Sequence, residues 1–125
     1  MGAFNIGSQV MGGGFSAGQV SALQGSVNSA VTAAGTTLAT ATDLTAAINI
    51  VTTATVDQGV SIQDCGNGDS VLIYNDTSVS IKVYPEDSSS SINQLVAGTA
   101  FNLASNTGCF IVRATSTQFV AFLSA

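Results

Sequence analysis

From Gly35 onward, apolar residues alternate with Thr, Asn or Ser at a period of two, first in TLATATDL, INIVTTATV and GVSI. The pattern continues in SVLIYN (70–75), VSIKVYP (79–85), TAFNLA (99–104), GCFIVRA (108–114) and TQFVAFL (117–123). Thr, Val and Ile suit a half-buried pleated surface, so each run predicts a strand. Turn signals separate the later runs: GNGD at 66–69, NDTS at 75–78, SNTG at 105–108 and ATST at 114–117. Short strands without intervening helices predict an all-β domain over residues 36–125, an antiparallel β-sandwich or barrel of about eight strands.

Within the runs, the alternation predicts a core of Val71, Ile73, Val79, Ile81, Val83, Phe101, Leu103, Phe110, Val112, Phe119, Ala121 and Leu123. The opposite faces carry Leu72, Tyr74, Lys82, Tyr84, Cys109, Ile111, Val120 and Phe122, so several strands are apolar on both sides. An antiparallel sheet of a monomer normally wets its outer face. The surplus predicts a second buried surface between subunits.

Residues 1–35 follow a different pattern. Isolated large apolar residues, Phe4, Ile6, Val10, Met11 and Phe15, stand among glycines. Glycine at that density makes regular structure costly, because each ordered Gly loses more backbone entropy than any other residue. An arm that orders against a neighbour is expected. From Ser16 to about Gly35, Val20, Leu23, Val27, Ala30 and Ala34 recur at steps of three and four, which predicts a short helix. That stripe fits either a short coiled-coil seam or a helix packed on its own domain. Phe4 to Val27 are the candidate contact residues for a subunit or a shell.

Charge narrows the partners. Hydrophobic residues make up 46% of the 125 and charged residues 7%, with a net charge of −5. Soluble domains usually carry about 25% charged residues. So little repulsion between copies favours close packing into an assembly. Lys82 and Arg113 are the only cations, too few for a surface that tracks nucleic-acid phosphates or an anionic membrane. No apolar run approaches the roughly 20 residues of a spanning helix. The first residues lack the basic and apolar regions of a secretory signal, so synthesis in a cytoplasm is expected.

Catalytic chemistry finds little support. The chain has no histidine, the usual general base near neutral pH and a frequent metal ligand. Its serines lack a nucleophile motif, and no enzyme, cofactor or metal is expected. Asp64-Cys-Gly-Asn-Gly-Asp69 offers oxygen ligands but departs from the calcium-loop order, so a tight turn is the preferred reading. Cys65 and Cys109 lack metal-ligand spacing and read as free, partly buried thiols.

The block DSVLIYNDTSVSIKVYPEDSSSSINQLVAGTAFNLASNTGCFIVRATSTQFVAF resembles a segment of small virion proteins of tailed bacteriophages. There a D-S-V-x-V-x-N strand leads to an x-I-x-V-Y-P strand, a polar loop, S-I-N-x-L and an aromatic-rich hairpin, and the likeness covers about residues 36–123. It implies a homotrimer that decorates the capsid as a cement protein, with the major capsid protein as partner and the arm threaded among capsid subunits. Pro85 would end a strand, Glu86, Asp87, Ser88 and Ser89 would form an exposed loop tip, and Ile92 and Leu95 would pin the returning chain. The alternatives are a head or tail fibre module that binds host glycans and a stand-alone carbohydrate-binding β-sandwich.

Overall fold

The computed structural model describes residues 26–63 and 66–124. Ten strands follow one another: β1 (Val27–Thr32), β2 (Thr42–Leu44), β3 (Ile48–Thr53), β4 (Gly59–Ile62), β5 (Ser70–Asn75), β6 (Ile81–Tyr84), β7 (Ser91–Ile92), β8 (Phe101–Leu103), β9 (Gly108–Thr115) and β10 (Gln118–Leu123). They form a six-stranded sheet in the order β1-β3-β5-β9-β10-β7 and a four-stranded sheet in the order β2-β4-β6-β8. The described residues are all-β, and no helix occurs among them. The expected helix over 16–35 is therefore corrected where it can be seen: Val27–Thr32 is a strand paired with β3. Its first part lies outside the described residues.

All eight runs read from the alternation contain strands, but their pairing differs from expectation. From β1 to β6 the chain alternates between the two sheets, and neighbours within each sheet are parallel: β1 with β3, β3 with β5, β2 with β4 and β4 with β6. The result is a solenoid-like stack rather than an antiparallel sandwich or barrel. Parallel neighbours need a long crossover, commonly a helix. Here the crossover is a strand of the opposite sheet, so a helix-free sequence still builds parallel ladders. Apart from a single bridge between Ala34 and Gly59, antiparallel pairing comes later, between β6 and β8, β5 and β9, and β9 and β10.

The corners that turn the chain from sheet to sheet use left-handed backbone at Gly35 (φ 65°) and Asp57 (φ 64°). A Cβ at Gly35 would also lie 2.2 Å from Thr40 Oγ1, so that corner requires glycine.

One contiguous core forms from both sheets. The six-stranded sheet contributes Val31, Val51, Ile73, Ile111 and Phe119, and the four-stranded sheet contributes Val60, Ile62, Ile81, Val83 and Leu103. Val71, Ile73, Ile81, Val83, Phe101, Leu103 and Phe119 are buried as the alternation predicts, while Val79 and Ala121 are half-buried. On β9 the expectation is inverted. Cys109 and Ile111 are buried and Phe110 is exposed, because Cys109 stands opposite Ile73 and Ile111 opposite Val71, both inward-facing. Leu123 is exposed at the end of β10. Tyr84 is buried rather than outward, and its hydroxyl donates to the Thr36 carbonyl at 2.8 Å.

Candidate functional site: an apolar sheet face

The pairing of the six-stranded sheet lines up one row of apolar side chains across five strands. Val27 stands opposite Ile48, Ile48 opposite Leu72, Leu72 opposite Phe110 and Phe110 opposite Phe122. Ile48, Leu72, Phe110 and Phe122 occupy the parity that points away from the core, and Val27 joins them because the register shift between Asn28 and Val31 separates it from buried Val31. Their exposure is 55% for Val27, 41% for Leu72, 39% for Phe110 and 59% for Phe122. Strands lie about 4.8 Å apart, so the row runs roughly 19 Å across the sheet.

Next to this row Tyr74 stands opposite Gly108. A Cβ at Gly108 would meet Tyr74 Cδ1 at 3.2 Å, so the glycine lets the ring lie close over the neighbouring backbone. The Phe110 and Phe122 rings are tilted by 35° with centroids 6.4 Å apart, within the range of aromatic pairs. Ile48, Leu72, Tyr74, Phe110, Phe122 and Leu123 line an open groove of about 400 Å³. None of these side chains carries a charge.

Cys109 borders the groove along β9, but its side chain is free, buried and turned to the core opposite Ile73. Burial pushes its thiol up to about 12, which leaves it an inert small apolar side chain at neutral pH. The groove therefore has the means to bind apolar surface and none to perform nucleophilic chemistry.

Of the outward residues predicted from doubly apolar strands, the structure brings Leu72, Tyr74 and Phe122 together, with Val120 half-buried on the same side. Ile48 and Phe110 complete the site and were not foreseen as members. Among the predicted contact residues, Phe4, Ile6, Val10, Met11, Phe15, Val20 and Leu23 lie outside the described residues. Val27 is described, and it ends the apolar row on β1.

The loop after β6 is organised differently from a bare tip. Asp87, Ser88 and Ser89 are exposed, but Glu86 is half-buried at the root of the loop, where its Oε2 lies 3.1 Å from Arg113 Nη1. The Arg113 guanidinium sits over the Phe119 ring, 5.3 Å from its centroid, so the ion pair is packed onto the core. Ile92 is buried as expected; Leu95 is exposed and pins nothing. Lys82 donates to Asn102 Oδ1 at 2.7 Å and lies 3.9 Å from Asp57.

Asp87 Oδ1 accepts hydrogen bonds from Ser89 Oγ (2.8 Å), Ser90 Oγ (2.9 Å) and the Ser89 amide (3.0 Å). These bonds favour the carboxylate and hold its pKa below the ordinary 3.8. A depressed folded-state pKa adds stability above the unfolded value that is lost as pH falls through the folded one. Asp87→Asn is therefore expected to flatten the acid limb of the stability curve below about pH 4, as read from urea midpoints at a series of pH values. An unchanged acid limb would show that these bonds do not persist in solution.

Asp69 Oδ2 accepts from the Gly66 amide at 2.8 Å, the geometry of a tight turn. Among the described residues no three His, Cys, Asp or Glu side chains come together to hold a metal, and no helix is long and apolar enough to cross a membrane. No protein-family model matches the sequence, and neither a curated protein nor a solved structure matches it with significance.

Proposed function

We propose that this protein is a structural component of a virion, a homotrimeric capsid decoration (cement) protein of a tailed bacteriophage that bridges neighbouring subunits of the major capsid protein. The observation that carries the structural part of this reading is the uncharged apolar row from Val27 to Phe122 on the outside of the six-stranded sheet. A face of that kind is a marker of protein association rather than of catalysis. The phage assignment rests on the resemblance of residues 36–123 to small virion proteins. In such a role, apolar surface removed from water contributes about 25 cal/mol per Å² at each contact. Repetition over the shell multiplies weak individual sites.

The test compares heads of the encoding virus assembled with and without the protein. Heads carrying it are expected to survive heating and chelation that open the bare ones, with a copy number that follows the capsomer lattice. Equal survival of both preparations would sink the cement reading.

A fibre module is the second reading, and the solenoid-like stack favours it, because coils repeating along one axis suit an elongated element. Exposed Tyr74, Phe110 and Phe122 could stack on a sugar face. Glycan-array binding together with a low copy number per particle would select this reading over decoration.

A further inference from the structure

We infer that the outer face of the six-stranded sheet is the subunit interface: the Phe122 end of the apolar row in one copy covers the Ile48 and Leu72 end of the row in the next. The inference rests on the self-assembly proposed above and gives it a surface.

The row is asymmetric in a way that fits a ring. Phe122, 59% exposed, stands on β10 at one end of the row, while Ile48 and Leu72 stand on β3 and β5 toward the other end of the same groove. A projecting group and its receptor displaced along the same face make a head-to-tail contact, which closes into a ring when the rotation allows. Closure at three would cover the row in every copy.

Charge selects a second copy as the occupant. Each chain carries −5, so copies repel one another unless they meet where the acidic groups are absent. Of the described acidic residues, Asp43 lies on β2 in the four-stranded sheet, Asp57 borders that sheet beside Lys82, Glu86 pairs with Arg113, and Asp69, Asp76 and Asp87 lie in the connections between strands. The row and the groove contain none of them.

Area supports the same occupant. Aromatic side chains present about 150–250 Å² each, and Tyr74, Phe110 and Phe122 are 39–59% exposed. With Val27 and Leu72 the face offers on the order of 450 Å² of apolar surface. In a head-to-tail ring each contact takes one end of each of two faces, so it covers on the order of 450 Å², and a ring of three covers about 1,400 Å² in all; one contact alone is weak and closure of the ring supplies the stability.

A disulfide trap tests the contact. Within one chain, Leu72 and Phe122 stand two strand spacings apart with Phe110 between them, roughly 9.6 Å. That exceeds the roughly 7 Å limit for bridging two cysteines. In the double variant Leu72→Cys/Phe122→Cys, any bond between those positions must therefore join two chains. Mild oxidation is expected to yield covalent species of up to three chains on non-reducing gels, absent from either single variant. A second variant, Phe122→Asp, is expected to keep the wild-type circular dichroism at room temperature, because the position is exposed in the single chain, and to reduce the light-scattering mass from three chains to one.

Wild-type protein that assembles, with no trapped species and an unchanged mass for Phe122→Asp, would overturn this interface while leaving self-assembly standing. Wild-type protein that is a single chain even when concentrated would overturn the assembly and the interface together. If Phe122→Asp keeps its mass but no longer binds capsids, the face belongs to the capsid protein and the inference fails.

Discussion

Replacing Asn75 by alanine is expected to lower stability by about 3 kcal/mol and the thermal midpoint by roughly 10 °C. Asn75 has no exposed surface. Its Nδ2 lies 2.8 Å from the Val79 carbonyl, 3.0 Å from that of Leu103 and 3.2 Å from that of Ala104, while its Oδ1 accepts from the Thr77 amide and hydroxyl. One side chain at the end of β5 thus ties the six-stranded sheet to the turn before β6 and to the end of β8. Alanine would take this donor from the Leu103 carbonyl and the acceptor from the Thr77 amide, while the Val79 and Ala104 carbonyls would keep the Thr77 and Thr107 hydroxyls; each unsatisfied buried polar group costs about 1–3 kcal/mol. Asn75→Asp is the sharper variant: it keeps the shape, removes both donors and sets a carboxylate against three carbonyls. It is expected to destabilise more than alanine at neutral pH and to recover partly in acid, where protonation restores one donor. Urea midpoints of the variants decide the matter. A loss for Asn75→Ala below about 1 kcal/mol would mean that water or a small shift serves these groups instead.

In the sequence Asn75 reads only as part of the turn signal NDTS; that it would be a buried hub depends on three carbonyls brought together from elsewhere in the chain. The same division runs through the fold. Period-two alternation locates strands because it reports one buried face, and it located all eight runs. It is silent on whether neighbours run parallel, since a strand in a solenoid-like stack and one in an antiparallel sheet bury alternate residues alike. On β9 it is silent even on the face, because Cys109 and Ile111 compete with Phe110 and Val112; pairing with β5 decides. Residues 27–34 satisfy two patterns at once. Val27, Ala30 and Ala34 keep helical spacing, whereas the buried residues there are Val31 and Ala33, the spacing of a strand. Ile48–Thr53 settles the choice by supplying a partner for β1. The two residues of β7 are too few for any periodicity. The apolar face was legible wherever a strand was apolar on both sides, as at Leu72, Tyr74 and Phe122. Its continuity was not, because cross-strand register is a property of pairs.

Phe119→Ala is expected to cost about 4 kcal/mol, toward the upper part of the range for buried aromatic truncations. The ring is fully buried, with Arg113 opposite it on β9 and Ile92 beside it on β7. Two effects combine in that loss, and a second substitution separates them. Phe119→Leu keeps most of the volume but removes the aromatic face beneath the guanidinium, so it should cost the repacking penalty, under about 1.5 kcal/mol, plus the cation–π contribution of about 0.5–2 kcal/mol. If Arg113 uses the ring as its floor, Phe119→Leu and Glu86→Gln will be non-additive, because Arg113 holds both partners. The consequence should then reach the surface. Glu86 roots the loop that carries Asp87, Ser88 and Ser89, so loosening Arg113 should raise amide exchange over residues 87–90 as well as in β10. Faster exchange confined to β10 and its core neighbours would show that Phe119 only fills volume and that Glu86 holds the loop without it.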